Sequence, residues 1–103
     1  MHALIKDKFL ELTEICVKRN VRMLALFGSA ATDRFDPSNS DMDFLVEFNA
    51  AQPAIHADNY FGLMEDLETL FGIPVDLVEL STIKNPYFRE AVEESLIRVY
   101  DAA

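Results

Sequence analysis

A single cysteine, Cys16, leaves no partner for an internal disulfide. Only three glycines and four prolines occur in 103 residues, and no low-complexity tract, linker or internal repeat is visible. Apolar residues come in short runs, far below the roughly 20 that a membrane helix requires, and mean hydropathy is only +0.07. The opening Met-His-Ala-Leu-Ile-Lys-Asp-Lys mixes charges and lacks a signal-peptide layout. These absences argue for a cytoplasmic chain with no membrane contact. Bases are scarce too: 9 Lys and Arg stand against 18 Asp and Glu, for a net charge of −9. Such a chain is poorly equipped to grip a phosphate backbone, so no direct nucleic-acid binding is expected. A basic protein partner suits the surface better, although negative charge also serves solubility alone.

What is present is enough for a core. Half of the residues are hydrophobic, and the length suits one domain over residues 1–103. Leu4, Ile5, Phe9, Leu12, Ile15 and Cys16 recur at helical spacing, which predicts a helix over 3–19 with Cys16 as a packing residue. Asn20 ends it. Strands are expected over 21–27, 42–48 and 75–80, and a short edge strand over 97–100. A helix is predicted from Asp58 or Asn59 through Phe71, stopped by Gly72 and Pro74. Gly62 inside it suggests close packing against the sheet. Another helix starts at Asn85-Pro86 and runs to about Ile97. The order predicts an α/β fold: a small mixed β-sheet with helices packed on one face.

The chemistry concentrates between Leu26 and Phe48. Asp41 and Asp43 sit two apart, so on a strand they share a face, while Met42, Phe44, Val46 and Phe48 face the core. Two carboxylates about 4 Å apart repel by about 4 kcal/mol at an effective dielectric near 20. A cation relieves that, and all-oxygen ligands suit Mg²⁺. Upstream, Gly28 permits unusual backbone angles and close approach of a ligand. Ser29 offers a hydroxyl and an N–H to a phosphate oxygen. Asp76 lies within the apolar run Val75 to Val78, where burial without a partner would be costly. Membership of an acidic cluster explains it; a solvated strand edge is the plainer account. Arg34 is a candidate phosphate contact, as are Lys84 and Arg89, with surface charge as the alternative. Asp33, Asp36 and His56 read as surface residues.

Gly28-Ser29, eleven intervening residues, Asp41-Met42-Asp43 and then Asp76 on a later strand form a combined signature. On it the chain resembles the minimal nucleotidyltransferases (MNT) of the DNA polymerase β-like superfamily. The resemblance implies a polymerase β palm-like fold. It also implies Asp41, Asp43 and Asp76 as catalytic metal ligands for Mg²⁺. Gly28, Ser29 and Arg34 would bind the nucleotide, with ATP as substrate. The chain departs from many members just after Gly28-Ser29, where Ala30, Ala31 and Thr32 stand in place of basic residues.

MNT proteins are frequently paired with HEPN-domain toxins. The resemblance therefore implies an antitoxin that transfers AMP to a hydroxyl, such as a tyrosine, of a partner HEPN toxin. Two alternatives stand beside it: an antitoxin acting by binding alone, and a transferase acting on a small molecule such as an aminoglycoside. The last ranks lowest, because those enzymes usually carry an extra helical domain.

Overall fold

The computed structural model describes residues 3–28 and 41–102. Four strands form one sheet: β1 (Val21–Phe27), β2 (Met42–Phe48), β3 (Val75–Glu79) and β4 (Ile97–Asp101). Their spatial order is β3-β2-β1-β4. β1 pairs antiparallel with β2 and β4, whereas β2 and β3 run parallel. A parallel pair needs a crossover, and α3 (Pro53–Phe71) supplies it. The mixed sheet with helices is the expected architecture.

The N-terminal helix is broken where periodicity predicted one piece. α1 (Ala3–Asp7) and α2 (Phe9–Lys18) meet at Lys8, whose φ of −117° is not helical. As a result Phe9 is 42 % exposed rather than part of the buried stripe. Asn20 does end the helical segment, with a φ of +61° that Asn tolerates better than most residues. Its side-chain N–H donates to the Asn49 carbonyl at 3.2 Å, tying the start of β1 to the end of β2.

α3 begins at Pro53, well before the expected cap at Asp58. Proline at the first helical position needs no N–H partner and has its φ already set, so the helix starts without a side-chain cap. Gly72, at φ +67°, closes it. β3 passes into a 3₁₀ turn at Leu80–Thr82. α4 (Pro86–Ser95) opens as expected: the Asn85 carboxamide oxygen accepts from the N–H groups of Tyr87 (2.9 Å) and Phe88 (3.2 Å).

Strand alternation divides the core. Leu24, Leu26, Phe44, Val46, Val75 and Leu77 face α1, α2 and α3, burying Ile5, Leu12, Cys16, Leu63 and Leu67 against the sheet. The opposite face carries a smaller cluster of Met23, Ala25 and Leu45 under Ile83, which follows the 3₁₀ turn, and Val92 of α4, so the helices do not all pack on one face as expected. Asp43 and Asp76 belong to this second face by register, beyond the end of its apolar patch.

Gly62 does not meet the sheet as expected. It faces the Arg19 guanidinium, which an added Cβ would strike. Arg19 Nε donates to Asp66 Oδ2 at 2.8 Å, joining the end of α2 to α3.

Candidate active site

β2 and β3 run parallel in a register that pairs Asp43 with Asp76. Side chains directly opposite in a parallel pair share a face, so the two carboxyl groups meet. Asp76 acts on Asp43, which titrates above the ordinary carboxylate range. Burial is the largest cause, followed by the charge of Asp76, the hydrogen bond to Asp76 and the charge of Asp41. Asp41 lies one residue before β2, exposed. Asp43 thus feels the charge of both other acids expected from sequence, that of its register partner Asp76 more strongly than that of Asp41.

Asp76 is exposed on an edge strand. The cost of burying it is therefore not why the carboxyl is tolerated among Val75, Leu77 and Val78. Those neighbours alternate, two turned to the main core and Val78 to the smaller one. The acid occupies the remaining outward position.

Gly28 closes the other side of the acid pair. It follows β1, whose Phe27 is the register partner of Asp43. Its φ of +64° lies in the left-handed region, and a Cβ there would stand 2.8 Å from Asp43 Oδ2. Both backbone angle and space therefore demand glycine. The expectations for Ser29, Asp33, Arg34 and Asp36 lie outside the described residues. Arg89 donates to Glu93 at 3.2 Å, one helical turn away. Lys84 follows the end of β3 remote from Asp76 along the strand.

Among the described residues, no three His, Cys, Asp or Glu side chains are already drawn together to hold a metal ion. The donor chemistry of the Asp43–Asp76 pair nonetheless fits a hard cation. Both are carboxyl groups, and a cation between them would offset both the burial and the mutual charge that raise the Asp43 pKa.

Two residues that sequence reasoning did not single out hold β3 on either side of Asp76. Glu68 Oε2 accepts from the Val75 N–H at 3.0 Å, and the Tyr60 hydroxyl donates to the Leu77 carbonyl at 2.6 Å. Periodicity assigned Tyr60 to the apolar stripe of α3 and gave no signal for its hydroxyl.

At the far ends of β2 and β3, a cleft of about 450 Å³ is lined by residues including Arg22, Glu47, Phe48, His56 and Glu79. It contains neither Asp43 nor Asp76. There His56 Nε2 lies 2.6 Å from Glu79 Oε1, with the Phe48 ring edge-on to the imidazole.

Comparison with known proteins matches the chain to a family. The profile of the "Nucleotidyltransferase domain" family covers residues 10–99. A Methanocaldococcus jannaschii protein, "Putative protein adenylyltransferase MJ0128", is 42% identical over 82 residues, 80% of either chain. A second from the same organism, "Putative protein adenylyltransferase MJ1379", is 39% identical over 82 residues, again 80% of each. A solved structure described as a "putative minimal nucleotidyltransferase" superposes with a TM-score of 0.67 at 26% identity, covering 90% of both chains. A toxin–antitoxin structure with AMP-PNP superposes with a TM-score of 0.68 at 20% identity, over 94% of this chain and 73% of the other. The MNT antitoxin fold, solved in complex with a tri-AMPylated Shewanella oneidensis HEPN toxin, gives 0.61 at 19% identity, over 99% and 74%. With its family profile spanning both acid-bearing strands, the chain belongs to the nucleotidyltransferase domain family and has the fold of its minimal members.

Proposed function

We propose that this protein is an Mg²⁺-dependent adenylyltransferase that moves AMP from ATP to a hydroxyl of a partner protein, in the manner of an antitoxin acting on a HEPN toxin. The observation that carries the reading is the contact between Asp43 and Asp76 across a parallel register, closed on one side by a glycine that nothing larger can replace. Protein adenylyltransferase names on the two relatives support the acceptor class. Structural likeness to antitoxins solved with HEPN toxin supports the partner.

Asp43 and Asp76, joined by Asp41, would hold the metal. When bound, it screens the triphosphate and the charge that develops on departing pyrophosphate. The rest is for the chain's own residues. Gly28 and Ser29 hold the β- and γ-phosphates through backbone N–H groups and the hydroxyl, and Arg34 adds a cation. The acceptor oxygen forms a bond to the α-phosphorus as the bond from that phosphorus to the bridging oxygen breaks. Pyrophosphate leaves, and the hydroxyl proton passes to Asp76, the more exposed of the paired acids.

Binding without transfer is the second reading. It is favoured by Ala30, Ala31 and Thr32, which leave the phosphate turn without the basic residues common in the family. ATP carrying separate labels on its α- and γ-phosphates separates the readings. With Mg²⁺ and a HEPN-domain partner, adenylyl transfer places the α-label on protein and releases the γ-label as pyrophosphate. Label on neither product, with the partner still inhibited in a stable complex, establishes binding alone. Label on an added aminoglycoside, and none on protein, assigns a small-molecule transferase instead.

A further inference from the structure

β3 is an edge strand. Along any strand, backbone N–H and C=O groups point alternately to the two sides. Met42 N–H donates to the Pro74 carbonyl at 2.9 Å, so the backbone of Pro74 and Asp76 faces β2. Val75 and Leu77 therefore turn their backbone groups to the open edge, where unpaired groups invite stray strand pairing. α3 meets them there. Glu68 takes the Val75 N–H, and Tyr60, two helical turns earlier, gives its hydroxyl to the Leu77 carbonyl. α3 runs antiparallel to β3, which brings Glu68 beside the start of the strand and Tyr60 beside its middle.

One such bond would suffice to blunt an edge. Two bonds from one rigid helix, placed on the residues immediately before and after Asp76, do more. They set the distance of that residue from β2, and with it the spacing of Asp76 from Asp43. An edge strand has a ladder on one side only, so without the clamp its outer residues can slide or peel by a fraction of an ångström. Metal and phosphate chemistry does not tolerate such looseness.

We infer that Tyr60 and Glu68 are positioning residues of the nucleotidyl-transfer site, acting through the backbone of β3 to hold Asp76 in register with Asp43. This rests on the reading of Asp43 and Asp76 as the metal-binding pair. Neither residue touches the nucleotide. Their effect is on the affinity of the acid pair for its cation and on kcat, not on the KM for the acceptor.

The test is calorimetric titration of Mg²⁺ alone into the wild type, Tyr60→Phe, Glu68→Leu and Glu68→Gln, together with the Tm of each and its kcat and KM. Tyr60→Phe keeps the ring and removes only the hydroxyl. Gln at 68 retains an oxygen that can accept from Val75, while Leu does not. The expected result is Mg²⁺ affinity about ten-fold weaker in Tyr60→Phe and Glu68→Leu, the lower end of what outer-shell partners contribute. Glu68→Gln recovers the wild-type value, and kcat falls in step with affinity at unchanged acceptor KM. Unchanged Mg²⁺ affinity, with only Tm lowered, leaves the two residues as edge caps and overturns the inference while the site stands. A wild type that binds no Mg²⁺ overturns the reading of the acid pair itself, and the positioning role falls with it.

Discussion

Asp43 is the residue on which the proposed site turns, and its ionisation has a sign that can be tested. Its pKa is raised in the folded protein, so the native state holds a proton that the unfolded chain releases near the ordinary value of about 3.9. The stabilising effect is complete below that value and is lost as pH rises through the higher folded pKa. At neutral pH without metal, the ionised pair costs stability. Asp43→Asn should therefore raise the Tm of the metal-free protein, by a margin that widens from acid toward neutral pH. Thermal melts across that range check it; a margin constant with pH contradicts it. The same substitution should lower transfer by about a hundred-fold or more, as loss of one transition-state charge partner does. Gly28→Ala makes the complementary prediction. The left-handed φ alone costs about 1–2 kcal/mol, and the new methyl presses on Asp43. Chemical denaturation should show that loss, and activity should fall further than stability does.

Among the elements, α3 has more duties than its sequence announces. Its inner stripe of Leu63 and Leu67 was legible from a 3.6-residue period. Its start at Pro53, its clamp on β3 and its joint with α2 were not, since each depends on which element comes to lie beside it. Gly62 is the sharpest case. Within an exposed helix, Gly→Ala gains about 1 kcal/mol. Here the methyl displaces Arg19 from Asp66, and a charge-assisted bond contributes about 1.5–3 kcal/mol. The loss outweighs the gain, so Gly62→Ala should destabilise by about 1 kcal/mol. With Arg19 already replaced by Ala, the same change should stabilise by about 1 kcal/mol. A double-mutant cycle reads this directly, and additivity of the two substitutions would refute the account. Strands fared better under sequence reading. Alternation placed Asp43 on one face and Phe44 and Val46 on the other, and β2 keeps that division, while Asp41 lies one residue before the strand. Alternation could not reveal that β3 would dock parallel to β2 with Asp76 opposite Asp43, because register is a property of two strands.

The whole molecule has a Cα radius of gyration of 13.1 Å, close to the roughly 13 Å of a compact chain of 100 residues. Its core is complete, with no buried side-chain nitrogen or oxygen left unpaired among the described residues. No helix among them is long and apolar enough to cross a membrane. Leu10, Val17, Phe61 and Tyr87 remain largely exposed on outer helix faces, on a chain of net charge −9. Those features suit an acceptor that is itself a protein and brings basic charge. Intact mass of a HEPN-domain partner, after incubation with this protein and Mg-ATP, is the measurement that bears most directly on the account. The account predicts a gain of one or more AMP units that disappears when Asp43→Asn replaces the wild type or when Mg²⁺ is withheld. An unchanged mass with wild-type protein, or a gain that survives Asp43→Asn, would contradict it.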